Sequence, residues 1–458
     1  MSGTLGRTCR ILLVVIAFLV TSVGFVPLGG APPAWAITPP AVDDSLLPHS
    51  RSPVPPLRTE QSEQCVTSRG VTPGGEVGGQ LDDLDLRSVW RLTRGAGQTV
   101  AVIDTGVSRH RLLPHLVPGG DYVSHGDGTD DCDGHGTIVA GIIGAGADAD
   151  NSFSGIAPDA TIIGIRQSSN KFRAIDDPAG SGFGDVDTLA SAVRSAADMG
   201  ATVINVSTVA CVAADTEFDD RALGAALAYA VDAKNAVVVA AAGNVGGPGQ
   251  CRHQNPVRPG RPDWSDVAAV VSPAWYDDYV LTVGSLGPDG VASAFSLAGP
   301  WVDVAGPGEQ VVSLDRDGEG YVAAVPISTG EKPLAGTSYA APVVAGVVAL
   351  LRSRSPELTA RQVMRRIEET ARHPAAGWDP LVGHGAVDVL AAVTGGAAPA
   401  SDIERVTTVS LPSRTPPDGQ TVGVAVRGAA VCLAIAAAVA AITLARPRLR
   451  RPVVIPRD

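Results

Sequence analysis

The chain has 458 residues, of which 45 % are hydrophobic and 18 % charged, and its formal net charge is −12. That length and apolar content suffice for one large α/β core of roughly 300 residues with appendages. The acidic balance, with no basic cluster ahead of the final residues, excludes nucleic acid as an expected partner.

The N-terminus reads as a secretory signal. Arg7 and Arg10 precede the apolar stretch Ile11 to Val20, and Ala34-Trp35-Ala36 carries small residues at the spacing a signal peptidase reads, so residues 1–36 are expected to be removed. Residues 37–80 are rich in proline, glycine and polar side chains; they cannot build a core and should lie along the surface of the following domain, 81–395. Within that domain, Val100 to Ile103 reads as a short buried strand that delivers Asp104 at its carboxyl end, where open α/β sheets place reactive groups. Asp133-Gly134-His135-Gly136-Thr137 then opens an apolar stretch, Ile138 to Ile143, which sets His135 at a loop-to-helix junction between two glycines. Further buried strands are expected over Thr202 to Val206 and over Val237 to Ala240, the second leading into Asn244.

Gly336-Thr337-Ser338-Tyr339-Ala340-Ala341-Pro342 precedes an apolar stretch ending at Leu351. A nucleophilic serine needs small neighbours and a helix whose first amides face developing negative charge, and Ser338 has both. Pro342 is expected in the first turn of that helix, where its missing N–H is harmless. Taken alone, Gly-Thr-Ser also suits an ordinary helix cap, and Asp-Thr-Gly an ordinary strand end. The order Asp104, His135, Ser338 is more specific, because it is one of three known chain orders for a serine-histidine-aspartate triad.

With these motifs in place, the chain resembles the subtilisin-like serine proteases from roughly Leu81 to Thr394. Ala240-Ala241-Ala242-Gly243-Asn244, Ser154-Gly155-Ile156-Ala157-Pro158 and Gly383-His384-Gly385-Ala386-Val387-Asp388 add to the likeness. The resemblance implies a mainly parallel central sheet with helices on both faces. It also implies roles: Ser338 as nucleophile, His135 as general base, Asp104 as its orienting carboxylate, and Asn244 as oxyanion-hole donor. Ser207, Thr208 and Val209 fall in the family's substrate groove, but Thr208 and Val209 stand where general proteases carry glycines. Narrow specificity toward protein or peptide substrates is therefore expected. No cofactor is called for and no metal site is expected; the acidic run Asp127 to Asp133 lacks the closing glutamate of an EF-hand, and calcium dependence is left open.

Residues 396–422 read as a proline-containing linker, 423–445 as a membrane-spanning helix and 446–458 as a basic tail. Gly428 to Ala445 carries no charge, and Arg446, Arg448, Arg450 and Arg451 follow it, which places the tail in the cytoplasm and the large domain outside the plasma membrane. This layout resembles the mycosins, the membrane-anchored proteases of type VII secretion systems. That resemblance implies the secretion complex as a partner, with either processing of secreted substrates or structural support of the complex as the main role.

Cys9 and Cys432 lie in the signal and the span, which leaves Cys65, Cys132, Cys211 and Cys251 outside the membrane. An even count in an oxidising compartment implies two disulfides, with three connectivities to choose from, and the absence of a Cys-x-x-Cys pair speaks against zinc. Cys211 and Cys251 follow two expected parallel strands in loops at the same sheet end. We therefore expect Cys211–Cys251, and by the same scheme Cys65–Cys132, pinning the extension beside His135.

Overall fold

The computed structural model describes residues 37–67, 79–148, 153–247, 250–327 and 330–395. The expected signal, linker, span and tail lie outside the described residues. Among those described, no helix is long and apolar enough to cross a membrane.

Seven strands form the central sheet: β1 (Thr99–Asp104), β2 (Leu116–Asp121), β3 (Thr161–Arg166), β4 (Val203–Val206), β5 (Val237–Ala241), β6 (Val280–Leu286) and β7 (Val304–Pro307). Their order is β7-β6-β5-β4-β1-β3-β2, and every neighbouring pair is parallel. Along β1, consecutive residues from Val100 to Asp104 are all buried. Side chains alternate between the faces of a strand, so unbroken burial requires cover on both sides. The helices α1 (His135–Gly144) and α4 (Thr337–Arg354) pack on each other and on the sheet. A second group, α2 (Val186–Asp198) and α3 (Arg221–Ala228), packs together, with α2 against β1, β3 and β4.

This order places the site. From β1 the chain runs outward to β2, returns through β3, and then crosses β1 to build β4 through β7 on the other side. The order reverses at β1, so the carboxyl end of that strand is the switch point at which such sheets open a crevice. Asp104 is the last residue of β1, paired in register with Arg166 of β3.

Every residue of α4 from Tyr339 to Arg352 is buried. A helix apolar all round can exist only at the centre of a fold, and α4 meets β4, β5, β6 and β7 together with α1. At Gly346 an added Cβ would lie 2.5 Å from the Cβ of buried Ile156. By contrast, none of residues 37–67 is buried. That extension lies on the surface and is tied down by the strand Thr59–Gln61, which pairs antiparallel with Phe172–Ala174. The ion pairs Glu60–Arg173 at 2.8 Å and Glu63–Lys171 at 2.6 Å flank this ladder.

Replacing Gly346 by alanine sets helix propensity against packing. Propensity favours alanine by about 1 kcal/mol, whereas overpacking of a dense core costs about 1–3 kcal/mol. A lower melting temperature for Gly346→Ala is the expected outcome; an unchanged or higher one would show that the α4 contact can relax.

Candidate active site

Asp104 is fully buried, and its Oδ1 accepts from the Thr105 amide at 2.8 Å and faces His135 Nδ1 at 2.7 Å. A carboxylate can only accept at this distance, so Nδ1 carries the proton and Nε2 is left as the basic atom. Burial of the ring pulls the imidazole pKa down. The Asp104 charge and hydrogen bond, with Asp131 and Asp133 behind them, pull it up by more, and the net shift is upward.

The two glycines beside His135 do different things. Gly134 adopts φ +78°, a left-handed conformation that releases the chain into α1. Gly136 lets the helix start press against β1, since a Cβ there would lie 2.0 Å from the Gly106 carbonyl oxygen. Buried Asp131 braces the same turn. It accepts from Thr105 Oγ1 at 2.8 Å, the Gly134 amide at 2.7 Å, and the Thr137 amide and hydroxyl at 2.8 and 2.7 Å. Thr105 Oγ1 accepts in turn from the Gly136 amide at 3.0 Å. Loss of hydration pushes the Asp131 carboxyl up to about 6 against those donors.

Ser338 is the second residue of α4 and lines the same cleft as Asn244. The backbone amide of Thr337 donates to Asn244 Oδ1 at 3.0 Å and the Thr337 hydroxyl does so at 3.2 Å. Two donors on Oδ1 turn that oxygen toward α4 and leave Nδ2 for the cleft. The Tyr339 ring packs 5.3 Å from the His135 ring, so α4 also buttresses the imidazole.

Pro342 does not lie in the first turn of α4. The helix begins at Thr337, which makes Pro342 an interior residue whose missing N–H strips the Ser338 carbonyl of its helical partner. Ser207 Oγ supplies one, donating to Ser338 O at 2.8 Å.

His135, Ser338, Asn244, Ser207, Thr208 and Val209 line one cleft of about 910 Å³. Among the described residues, no hydrogen bond of 3.5 Å or less joins Ser338 to His135; such bonds commonly tighten only when substrate binds. The arrangement offers an oriented imidazole, a hydroxyl at a helix N-terminus and a fixed amide donor, a set suited to acyl transfer.

The structure joins Cys65 to Cys132 and Cys211 to Cys251, with Cα separations of 4.5 and 5.5 Å. Both cross-links flank the cleft, and Gln64 to Thr67 of the extension form part of its rim. After Val209 the chain enters the strand Ala210–Ala213, which pairs with Ala269–Ser272 and carries Cys211. Three contributions escaped the sequence reading: the Asp131 turn, the hold of Thr337 on Asn244, and the Tyr339 buttress. The spacing Asp131 to Thr137, a short acceptor ahead of a helix start, was the one legible signal.

In Asp131→Asn, one carboxylate oxygen becomes an NH2 group facing an amide and a hydroxyl; the hydroxyl can turn to accept, whereas the amide N–H loses its acceptor. A loss of about 1–3 kcal/mol follows from one unsatisfied buried contact. Denaturant unfolding measures it, and an unaltered midpoint would mean that the turn does not depend on this carboxylate.

Residues 95–385 match the subtilase family, peptidase family S8. Mycosin-4 of Mycobacterium tuberculosis (strain ATCC 25618 / H37Rv) is 56 % identical over 98 % of each chain. Among solved structures, the MycP3 protease from the type VII (ESX-3) secretion system superposes with a TM-score of 0.71 at 44 % identity, covering 78 % of this chain and 99 % of that one. A chain in the periplasmic assembly from the ESX-5 inner membrane complex superposes with a TM-score of 0.73 at 41 % identity, covering 83 % and 99 %.

Proposed function

Because the chain belongs to the subtilase family and, within it, to the mycosins, we propose that this serine protease is a membrane-anchored endopeptidase that works through Asp104, His135 and Ser338 beside a type VII secretion complex. The observation that carries the reading is the 2.7 Å contact between buried Asp104 and His135 Nδ1 at the cleft that Ser338 and Asn244 line.

In this reading Ser338 Oγ attacks the scissile carbonyl carbon while His135 Nε2 takes the hydroxyl proton. Asp104 stabilises the imidazolium that forms. The carbonyl oxygen becomes an oxyanion and accepts from Asn244 Nδ2 and from the Ser338 amide at the N-terminus of α4. The intermediate collapses as His135 passes its proton to the leaving amine, and water repeats the sequence to free the acyl group. Thr208 and Val209, both half-buried on the cleft wall, support narrow specificity, because side chains there take up room in the groove.

The place of a relative in the periplasmic assembly from an inner membrane complex supports a position outside the plasma membrane, and the charge-free stretch Gly428 to Ala445 supports residues 423–445 as the anchor. A structural role in such a complex is compatible with catalysis. In producing cells, Ser338→Ala is expected to preserve secretion that a full deletion abolishes; equal failure of both would make cleavage itself the requirement.

Two measurements test the chemistry. Ser338→Ala should lower peptide hydrolysis by several orders of magnitude without altering the fold, as triad losses do; undiminished cleavage would end the assignment. His135 must be neutral to act as base, and its pKa is raised. Consequently kcat/KM should be lost as pH falls through a value above the ordinary histidine value of about 6.5, and a midpoint below that would contradict the role of Asp104.

A further inference from the structure

Pro342 and Ser207 lie far apart in sequence and meet at one atom, the carbonyl oxygen of Ser338. In an unbroken helix the N–H of residue 342 would donate to that oxygen, but proline has no N–H, and its ring repels the carbonyl four residues back. The carbonyl of the nucleophilic residue thereby loses its helical donor, while the amide of the same peptide plane, Tyr339 N–H, still donates to Gly336 O at 3.0 Å. The Ser207 hydroxyl occupies the vacated role at 2.8 Å. Its rotor is fixed in turn, because Asn205 Nδ2 donates to Ser207 Oγ at 2.9 Å, which leaves the hydroxyl proton for Ser338 O. Asn205 is fully buried and Ser207 is 2 % exposed, so the relay runs from β4 to α4 shielded from solvent.

We infer that Ser207 is a positioning residue for the nucleophile, its hydroxyl replacing the helical hydrogen bond that Pro342 removes. The inference rests on the reading of Ser338 as that nucleophile. Holding the peptide plane after Ser338 fixes the direction of its Cα–Cβ bond, and so where Oγ stands relative to His135 and Asn244. The groove wall at this position therefore acts through its contact with α4 as well as through its surface. Ser207 was singled out in the sequence only as a groove residue; its link to Pro342 has no sequence signature.

A double-mutant cycle on the full chain tests this, read as the second-order rate at which an alkyl fluorophosphonate labels the protein. Wild type should label and Ser338→Ala should not. Ser207→Ala should label about tenfold more slowly, the size of one lost hydrogen bond. In a Pro342→Ala background the alanine N–H can serve the same carbonyl, so adding Ser207→Ala there should change the rate by less than about threefold. Should Ser207→Ala alone fail to fold, the Ser207→Ala/Pro342→Ala protein must fold and label at close to the Pro342→Ala rate. Equal penalties in both backgrounds, or a double variant as defective as Ser207→Ala, would overturn the inference while leaving the protease reading intact. An unlabelled wild type would remove both.

Discussion

The 2.7 Å hydrogen bond between Asp104 and His135 is the constraint around which the rest of the molecule is arranged. Asp104 is delivered by an interior strand of a parallel sheet, His135 is the first residue of a helix, and the two can meet only if helix start and strand end touch. Backbone contact at Gly136 permits that approach, and the Asp131 network holds the turn that makes it. A carboxylate with no exposure keeps its charge effective because little water screens it, and its pull on the imidazole, joined by those of Asp131 and Asp133, outweighs the burial of the ring.

A second convergence supplies the other half of the site. The N-terminus of α4 presents Ser338, and the preceding residue turns the Asn244 amide by donating twice to its oxygen. One short segment thus sets both the hydroxyl and the side-chain donor beside it, while Tyr339 reaches back to the imidazole. The burial of α4 from Tyr339 to Arg352 makes this end rigid: a helix enclosed by strands and α1 cannot shift without disturbing the core. The cross-links Cys65–Cys132 and Cys211–Cys251 add covalent ties to the loops around the same cleft, and the first holds a surface extension that has no core of its own.

Much of this was legible in the sequence for physical reasons. Strands such as Val237–Ala241 are continuous apolar runs because both faces of a parallel sheet are covered, and His135 and Ser338 sit at junctions where glycines and small residues meet apolar helices. What was not legible depends on distance in space. The helix containing Ser338 starts at Thr337, so Pro342 is interior; local composition around Gly336 did not distinguish one starting point from another. Asp131 read as one more member of an acidic run, and only the fold shows four donors turned toward it. The extension's ladder with Phe172–Ala174 is three residues long and half-exposed, too short to leave a period in the sequence.

The central claim is that these elements converge to hold a tetrahedral acyl intermediate on Ser338. Its most direct test is the crystal structure of the protein after reaction with a fluorophosphonate. The predicted result is a phosphorus atom bonded to Ser338 Oγ, with one phosphonyl oxygen about 3 Å from both Asn244 Nδ2 and the Ser338 amide. An adduct on another residue, or one on Ser338 whose oxygens all turn away from Asn244, would contradict it.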